Sequence, residues 1–256
     1  MKKILGILCL CFLIFTSCAK KEEFNGLEKI TKRDVLIVGV REDSGPFGHL
    51  TEEGYHAGFD IDVAKYIAGK LLGSEKKVKF IKVTSNTRIE TITSNQADIV
   101  VATMTITPSR AYLVDFSMPY YTTGQTAVVK EESDIYKFSD LKNKTTIVVL
   151  GSTAEKNLRR IIPTAKIVGY PNYKEAFNAL LDERGEAVCT DDTIISGFLA
   201  RNEGYRILNN RISSEHYAVA MKKTEDKVLK QSIDNIIKDM QRDGTLRELK
   251  KKWELV

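Results

Sequence analysis

Twice along the chain, an apolar β-type run leads into an amphipathic helical pattern, a second strand, a second helix and a short strand ending in polar residues. The first round opens at VLIVGV (35–40), whose β-branched run suits a parallel strand buried on both faces. GFDIDVAKYIAGKLLG (58–73) follows, in which Asp60 or Asp62 can cap a helix and Ile61, Val63, Ala64, Ile67, Ala68, Leu71 and Leu72 form a broad apolar face. KVKFIKV (77–83) alternates as a strand, 87–95 reads as a helix, and ADIVVAT (97–103) as a short strand. The second round has a strand at 145–150, a helix starting around Thr153 or Ala154, a strand at 165–170, a helix at 173–183 and a short strand at 186–190. QADIVVATMT and GEAVCTDD echo each other in plan, not in identity. The order predicts an α/β chain of two doubly wound lobes.

Two β-rich runs join the rounds, YYTTGQTAVVKEE (120–132) and HYAVAMKKT (216–224). Two such crossings make a hinge, with C-terminal helices (226–242 and 245–254) returning to the first lobe and Asp243-Gly244 separating them. The predicted boundaries are a removable leader at 1–17, a polar tether at 18–33, lobe 1 at 34–122 and 219–256, and lobe 2 at 123–218.

The leader begins with MKK and continues as ILGILCLCFLIF, an apolar core too short to span a bilayer comfortably. Phe15-Thr16-Ser17-Cys18 resembles the lipobox of a bacterial lipoprotein, with Phe15 where Leu is usual. The resemblance implies a lipid on Cys18 and a place in the cell envelope, either in the periplasm or on the outer face of the cytoplasmic membrane. An ordinary cleaved signal is the alternative, and it too puts the protein outside the cytoplasm. The net charge of +5 falls to +3 once Lys2 and Lys3 leave with the leader, too mild and too evenly spread for a nucleic-acid partner. Cys189, the one cysteine left in the folded part, sits in the apolar run AVCT and reads as a buried, inert thiol.

In open α/β sheets ligands bind beyond the carboxyl ends of the strands. Here those ends carry the loops 41–47, 102–110, 150–154 and 190–193. ATMTITPSR (102–110) crowds Thr103, Thr105, Thr107 and Ser109 before Arg110. A guanidinium grips a carboxylate bidentately and hydroxyls can complete the site; a solvated arginine at a helix start is the plainer alternative. GSTAE (151–155) can offer backbone N–H groups at a helix start to an anion, or form a simple N-cap at Ser152 or Thr153. TDD (190–192) can accept from an ammonium or merely begin a helix. Together they place an anion site (Arg110, Thr105, Thr153) opposite a cation site (Asp191), and a free α-amino acid carries both charges on one carbon.

VGVREDSGPFGHL, GFDIDVAKYIA, ADIVVATMTITPSRAYLVDFSMPYY, GSTAE and DGTLRELKKKWEL resemble the type 2 periplasmic solute-binding proteins of ABC importers, in the polar amino-acid-binding group. The resemblance spans roughly 33–255. It implies a two-lobed flytrap, a captured amino acid, and delivery to an ABC permease and its ATPase, with no cofactor. Position by position, it implies that Arg110, Thr105 and Thr153 hold the α-carboxylate. Asp191 would hold the α-ammonium, helped by the Thr103 carbonyl, and Phe47 would line the pocket. Arg88 matches a position where aspartate- and glutamate-binding relatives often have an Arg that meets the second carboxylate, Arg41 one where they can carry Lys, and Tyr173 a site tyrosine in them, so an acidic ligand is favoured; pairing of Arg88 or Arg41 with Glu42, Asp43 or Glu90 is the alternative. Ser44 departs from the pattern, standing where others place a bulky group.

No GxGxxG, GxxxxGK[ST], GxSxG or CxxC occurs, and His49, His56 and His216 are scattered, so neither nucleotide chemistry nor a metal site is expected. The rival function is a periplasmic enzyme on the same fold, akin to cyclohexadienyl dehydratase, with Asp191 or Glu215 as the proton-transfer group. A receptor's sensor module is a third reading, disfavoured because no membrane-spanning run follows the fold.

Overall fold

The structure, a computed structural model, describes residues 26–255. The chain runs α1 (Gly26–Arg33), β1 (Leu36–Val40), β2 (Asp43–Ser44), β3 (Gly48–Leu50), β4 (His56–Ala57), α2 (Phe59–Leu72), β5 (Val78–Lys82), α3 (Arg88–Thr93), β6 (Ile99–Val100), α4 (Pro108–Leu113), β7 (Val114–Thr123) and β8 (Gln125–Lys130). It continues through β9 (Thr145–Val149), α5 (Ala154–Ile161), β10 (Lys166–Tyr170), α6 (Tyr173–Leu181), β11 (Ala187–Asp191), α7 (Asp192–Leu199), β12 (Tyr205–Ile207), β13 (Glu215–Lys222), α8 (Val228–Arg242) and α9 (Thr245–Lys252).

Two five-stranded sheets result, ordered β5-β1-β6-β13-β7 and β10-β9-β11-β8-β12, with a small β2-β3-β4 sheet beside the first. In each large sheet the strands of the predicted β-α-β-α-β unit pair in parallel. Antiparallel strands from the crossing segments then complete it: β13 against β6 and β7, β8 against β11 and β12. This is the two-lobed mixed α/β architecture expected. The first crossing passes from β7, which ends at Thr123, through Gly124 to β8, which starts at Gln125, and the second enters β13, which pairs with β7 from Glu215 onward.

Each sheet is covered on both faces, so its inner strands β1 and β11 are almost wholly buried, while the edge strands β5 and β10 keep exposed positions. Ile61, Val63, Ala64, Ile67 and Ala68 of α2 lie in one core with Ile233, Ile237 and Met240 of α8 and Leu246 of α9, so the C-terminal helices do close the first lobe. In the second lobe Ala154 and Leu158 of α5 pack on one side of the sheet, while Ala176, Ala179 and Leu180 of α6 with Ile194 and Ile195 of α7 pack on the other. Cys189 is fully buried, and burial raises its thiol further from ionisation.

Three expectations need correction. Residues 26–33, read as tether, form α1, because Ile30 finds a fully buried place in the first lobe's core among Ile233 and its neighbours. The short strand expected over 97–103 is only β6, since the chain leaves the sheet to build the rim. Asp60 does not cap α2: the N-cap is Gly58, and Asp60 turns inward, fully buried. Cys18 and the leader lie outside the described residues. Among the described residues no helix is long and apolar enough to cross a membrane.

Candidate functional site

The parallel strands of both lobes point their carboxyl ends at one cleft. On the first lobe the residue after β1 is Arg41, whose side chain is 0% exposed. Its Nη1 donates to Ser85 Oγ at 2.6 Å, and its Nη2 donates to both oxygens of Asp43 at 2.7 and 2.8 Å. Its Nε is buried without a partner, and its guanidinium lies 4.5 Å from the ring centroid of Tyr173 on the opposite lobe. Arg88 opens α3 and donates from Nη1 to the carbonyls of Ala102 (2.8 Å) and Thr103 (3.1 Å), again leaving a buried Nε unpartnered. Arg110 sits in α4, held by the Thr107 cap, whose Oγ1 accepts from the Arg110 N–H at 3.2 Å. Its guanidinium donates to the Thr105 carbonyl at 2.8 Å and, across the cleft, to the Gly151 carbonyl at 2.9 Å.

Arg88 feels the other two guanidiniums. Burial pushes Arg88 well below the ordinary arginine range, and the charges of Arg110 and Arg41 push it further the same way. Arg110 is lowered chiefly by burial, opposed by Glu215 and Asp191. The loop 102–110, which leads to Arg110 and receives Arg88, is fixed by Asp60, which accepts from the Thr103 N–H and from the Tyr120 hydroxyl, both at 2.8 Å. Burial raises the Asp60 carboxyl to about 7. Thr103 takes a left-handed backbone, φ 48°, and that turn aims its carbonyl at Arg88.

The second lobe supplies acceptors. Asp191 ends β11 opposite Gln125 of β8. One of its oxygens accepts from the Tyr217 hydroxyl, and the other, Oδ1, is buried without a hydrogen-bond partner among the described residues. Burial, then the neighbouring Glu215 charge, raises Asp191 to about 6. Thr153, at the start of α5, accepts from Gln125 Nε2 at 2.7 Å and donates to Glu215 Oε2 at 2.8 Å. Asn157 donates to Gln125 Oε1 at 2.8 Å and to Glu215 Oε1 at 3.0 Å, closing the network. Tyr173 opens α6, donates its backbone N–H to Asp43 Oδ2 at 2.7 Å, and accepts from Thr190 Oγ1 at 3.0 Å through its hydroxyl. Its phenol is raised to about 12, by burial and then by Asp191.

The lobes meet closely at two glycines. A Cβ on Gly151, whose φ is +76°, would stand 2.7 Å from Asn86 Cα. A Cβ on Gly197 of α7 would overlap the Gly45 carbonyl. Only residues without a side chain permit these approaches.

Arg41, Arg88, Arg110, Thr103, Thr105, Asp191, Thr153 and Tyr173 thus converge on one cleft. Thr105 bridges in antiparallel fashion to Tyr217, the residue that bonds Asp191. Phe47 is not among the polar groups: fully buried, it packs edge-on against Phe59, Tyr121 and Tyr217 in the first lobe's core, behind the cleft wall. The Thr103 carbonyl, expected to face an ammonium, receives Arg88 instead. Thr107 caps α4, its Oγ1 accepting the Arg110 N–H, and it shares a hydrogen bond with the Ser109 hydroxyl. Of the alternatives weighed for Arg41, pairing with Asp43 is the one the structure realises. Sequence reasoning missed Asp60, Gln125, Asn157 and Tyr217 as site residues. Nothing local marks them, since they arrive from distant helices and strands.

The model of the bacterial extracellular solute-binding proteins, family 3, matches residues 36–255. The ABC transporter glutamine-binding protein GlnH of Bacillus subtilis (strain 168) is 36% identical over 267 aligned residues, covering 99% of this chain and 97% of GlnH. A glutamine-binding protein of Geobacillus stearothermophilus is 41% identical over 201 residues, 78% of this chain and 77% of its own length. The crystal structure of a cysteine-binding protein from Campylobacter jejuni superposes with a TM-score of 0.86 at 35% identity, covering 90% of this chain and 93% of that one.

Proposed function

We propose, for a chain that belongs to the bacterial extracellular solute-binding proteins, family 3, that the cleft captures a free α-amino acid outside the cytoplasm and presents it to an ABC permease. The observation that carries this is the buried, unpartnered Oδ1 of Asp191 set across the cleft from a cluster of buried guanidiniums. An unpartnered carboxylate oxygen is costly unless a donor reaches it, and an α-ammonium is such a donor. Arg110, with Thr105 and Thr153, takes the α-carboxylate. Closure over the ligand replaces the carbonyls of Thr105 and Gly151 by a carboxylate, a stronger partner for a guanidinium. Only contacts made better in the closed state than in the open one shift the lobes.

For the ligand's side chain the better-supported reading is an uncharged polar group. Asp43 already holds Arg41 bidentately, so one of the three cations has its counter-charge within the chain. Both curated relatives named above are glutamine-binding proteins. The second reading is glutamate or aspartate, favoured by Arg88, whose guanidinium has only backbone carbonyls for hydrogen-bond partners among the described residues. An enzyme of the cyclohexadienyl dehydratase kind is less well supported, because both oxygens of Glu215 are held by Thr153 and Asn157 rather than left to move a proton. The lobe boundaries fall where the crossing strands run, near 122 and 219, and Cys18 carries the lipid that keeps the protein at the membrane.

Calorimetry against the twenty amino acids tests the reading: a neutral polar amino acid is expected to bind tightest. Glutamate binding tightest returns the acidic reading, and no binding by any of them overturns the proposal. Labelling of cells with radioactive palmitate should mark the wild-type chain and not Cys18→Ser.

A further inference from the structure

We infer that Asp43 is a built-in counter-carboxylate that sets which side chains the cleft accepts: it occupies Arg41 so that an acidic ligand cannot. The inference rests on the amino-acid reading of the cleft and assigns its selectivity to one residue. Arg41 is fully buried, and among charged side chains it makes its hydrogen bonds to Asp43 alone, through Nη2 to both carboxylate oxygens. The same carboxylate accepts the Tyr173 N–H from the opposite lobe at 2.7 Å. Tyr173 in turn lays its ring on the Arg41 guanidinium. Asp43, Arg41 and Tyr173 therefore form one closed triangle across the cleft, built from both lobes.

That geometry is what a dicarboxylic ligand's second carboxylate would need: a buried guanidinium to grip and a helix-start N–H to donate from the facing lobe. The chain fills both places with its own side chain. An acidic ligand would have to displace Asp43 or lie beside it, and two carboxylates on one guanidinium repel. A neutral side chain meets no such repulsion. Arg41 Nε, buried and unpartnered, remains available to a neutral acceptor such as an amide or hydroxyl oxygen.

Asp43→Asn tests this with little change of shape, since its amide oxygen can still accept from the Tyr173 N–H. Asp43→Ser serves as the second variant should the first not fold. The quantity read is the ratio of the dissociation constants for glutamine and glutamate, by calorimetry at low salt. Freed of its counter-charge, Arg41 should move that ratio toward glutamate by about tenfold or more. In an Arg41→Met background the same Asp43→Asn change should move it by less than about twofold. An unchanged ratio in the Arg41 protein, or an equal shift in the Arg41→Met background, overturns the inference while the amino-acid reading stands. A wild-type protein that already prefers glutamate overturns it too. A wild-type protein that binds no amino acid fails the underlying reading instead.

Discussion

The two rims of the cleft are unlike in charge although the lobes behind them share one plan. Lobe 1 brings three buried arginines, Arg41, Arg88 and Arg110, with Asp60 behind them bracing the loop. Lobe 2 brings Asp191 and the neutral network of Gln125, Thr153 and Asn157, which meets Glu215 on the crossing strand β13. Neither rim satisfies itself. Arg88 is disfavoured as a cation by burial and by its two neighbours, and Asp191 keeps an oxygen without a partner. The same β-α-β-α-β scaffold thus presents opposite ends of a dipole, and a zwitterion laid between them settles both. The difference teaches that the scaffold fixes where the rims are, while a few residues at the strand ends fix what they hold.

The strongest way to break this comparison is to remove the cation that reaches from lobe 1 to lobe 2. Arg110→Ala should weaken binding of every amino acid by about 2–5 kcal/mol, the cost of leaving a charge without its partner, and calorimetry reads it directly. Losses confined to one ligand class would show that Arg110 reads the side chain and not the shared carboxylate.

Asp191 sharpens the other rim through pH. With its carboxyl raised to about 6, the acid must lose its proton before it can hold an ammonium. Affinity should therefore be flat above about pH 6 and fall by up to about tenfold per unit below it. The stability term has the opposite sign. Because the folded-state value lies above the ordinary 3.8, the folded chain binds this proton more tightly than the unfolded one. Its contribution to stability is fully present below 3.8 and is lost as pH rises through about 6. Asp191→Asn should weaken binding and flatten both slopes, as seen by calorimetry and thermal melts across pH 5–7. A wild-type affinity unchanged over that range would remove Asp191 from the ammonium site.

Closure can be attacked without touching a charge. Gly197→Ala sets a methyl against the Gly45 carbonyl on the other lobe. Overpacking of this kind costs about 1–3 kcal/mol, and it falls on the closed state alone. Affinity should drop by about five- to a hundredfold for all ligands, and small-angle scattering with ligand should show a more open particle. Unchanged affinity would mean that α7 and the Gly45 loop part in the ligand-bound form.

How much of this was legible in the sequence follows from which interactions are local. The alternation of apolar strands and amphipathic helices is local, so α2, β5, β9, α5, β10 and α6 stand within a few residues of where periodicity put them. The strand ends follow from the alternation, so the rim loops and Arg110, Asp191 and Arg41 were in reach. What escaped was pairing over distance. Asp60 looked like a helix cap because its sequence neighbours are helical, yet its partners are Thr103 and Tyr120. The family resemblance put Phe47 in the pocket lining, but the cluster of Phe59, Tyr121 and Tyr217 draws it into the core. Residues 26–33 looked like a tether because they are charged, while Ile30, the one buried residue of α1, decides their place.

The finest test of the two rims is Tyr173, a residue that serves both. Its hydroxyl belongs to lobe 2 through Thr190, and its ring belongs to lobe 1 through Arg41. Tyr173→Phe deletes the hydroxyl and keeps the ring, leaving Thr190 to find another acceptor. A single neutral hydrogen bond contributes about 0.5–1.5 kcal/mol, so affinity should fall no more than about tenfold. Tyr173→Leu removes the ring as well, and with it the face on which the Arg41 guanidinium lies. A desolvated contact of that kind is worth about 2 kcal/mol, so the second change should cost more than the first. If Tyr173→Phe proves the more damaging of the two, the hydroxyl meets the ligand itself and Tyr173 belongs to the second rim alone.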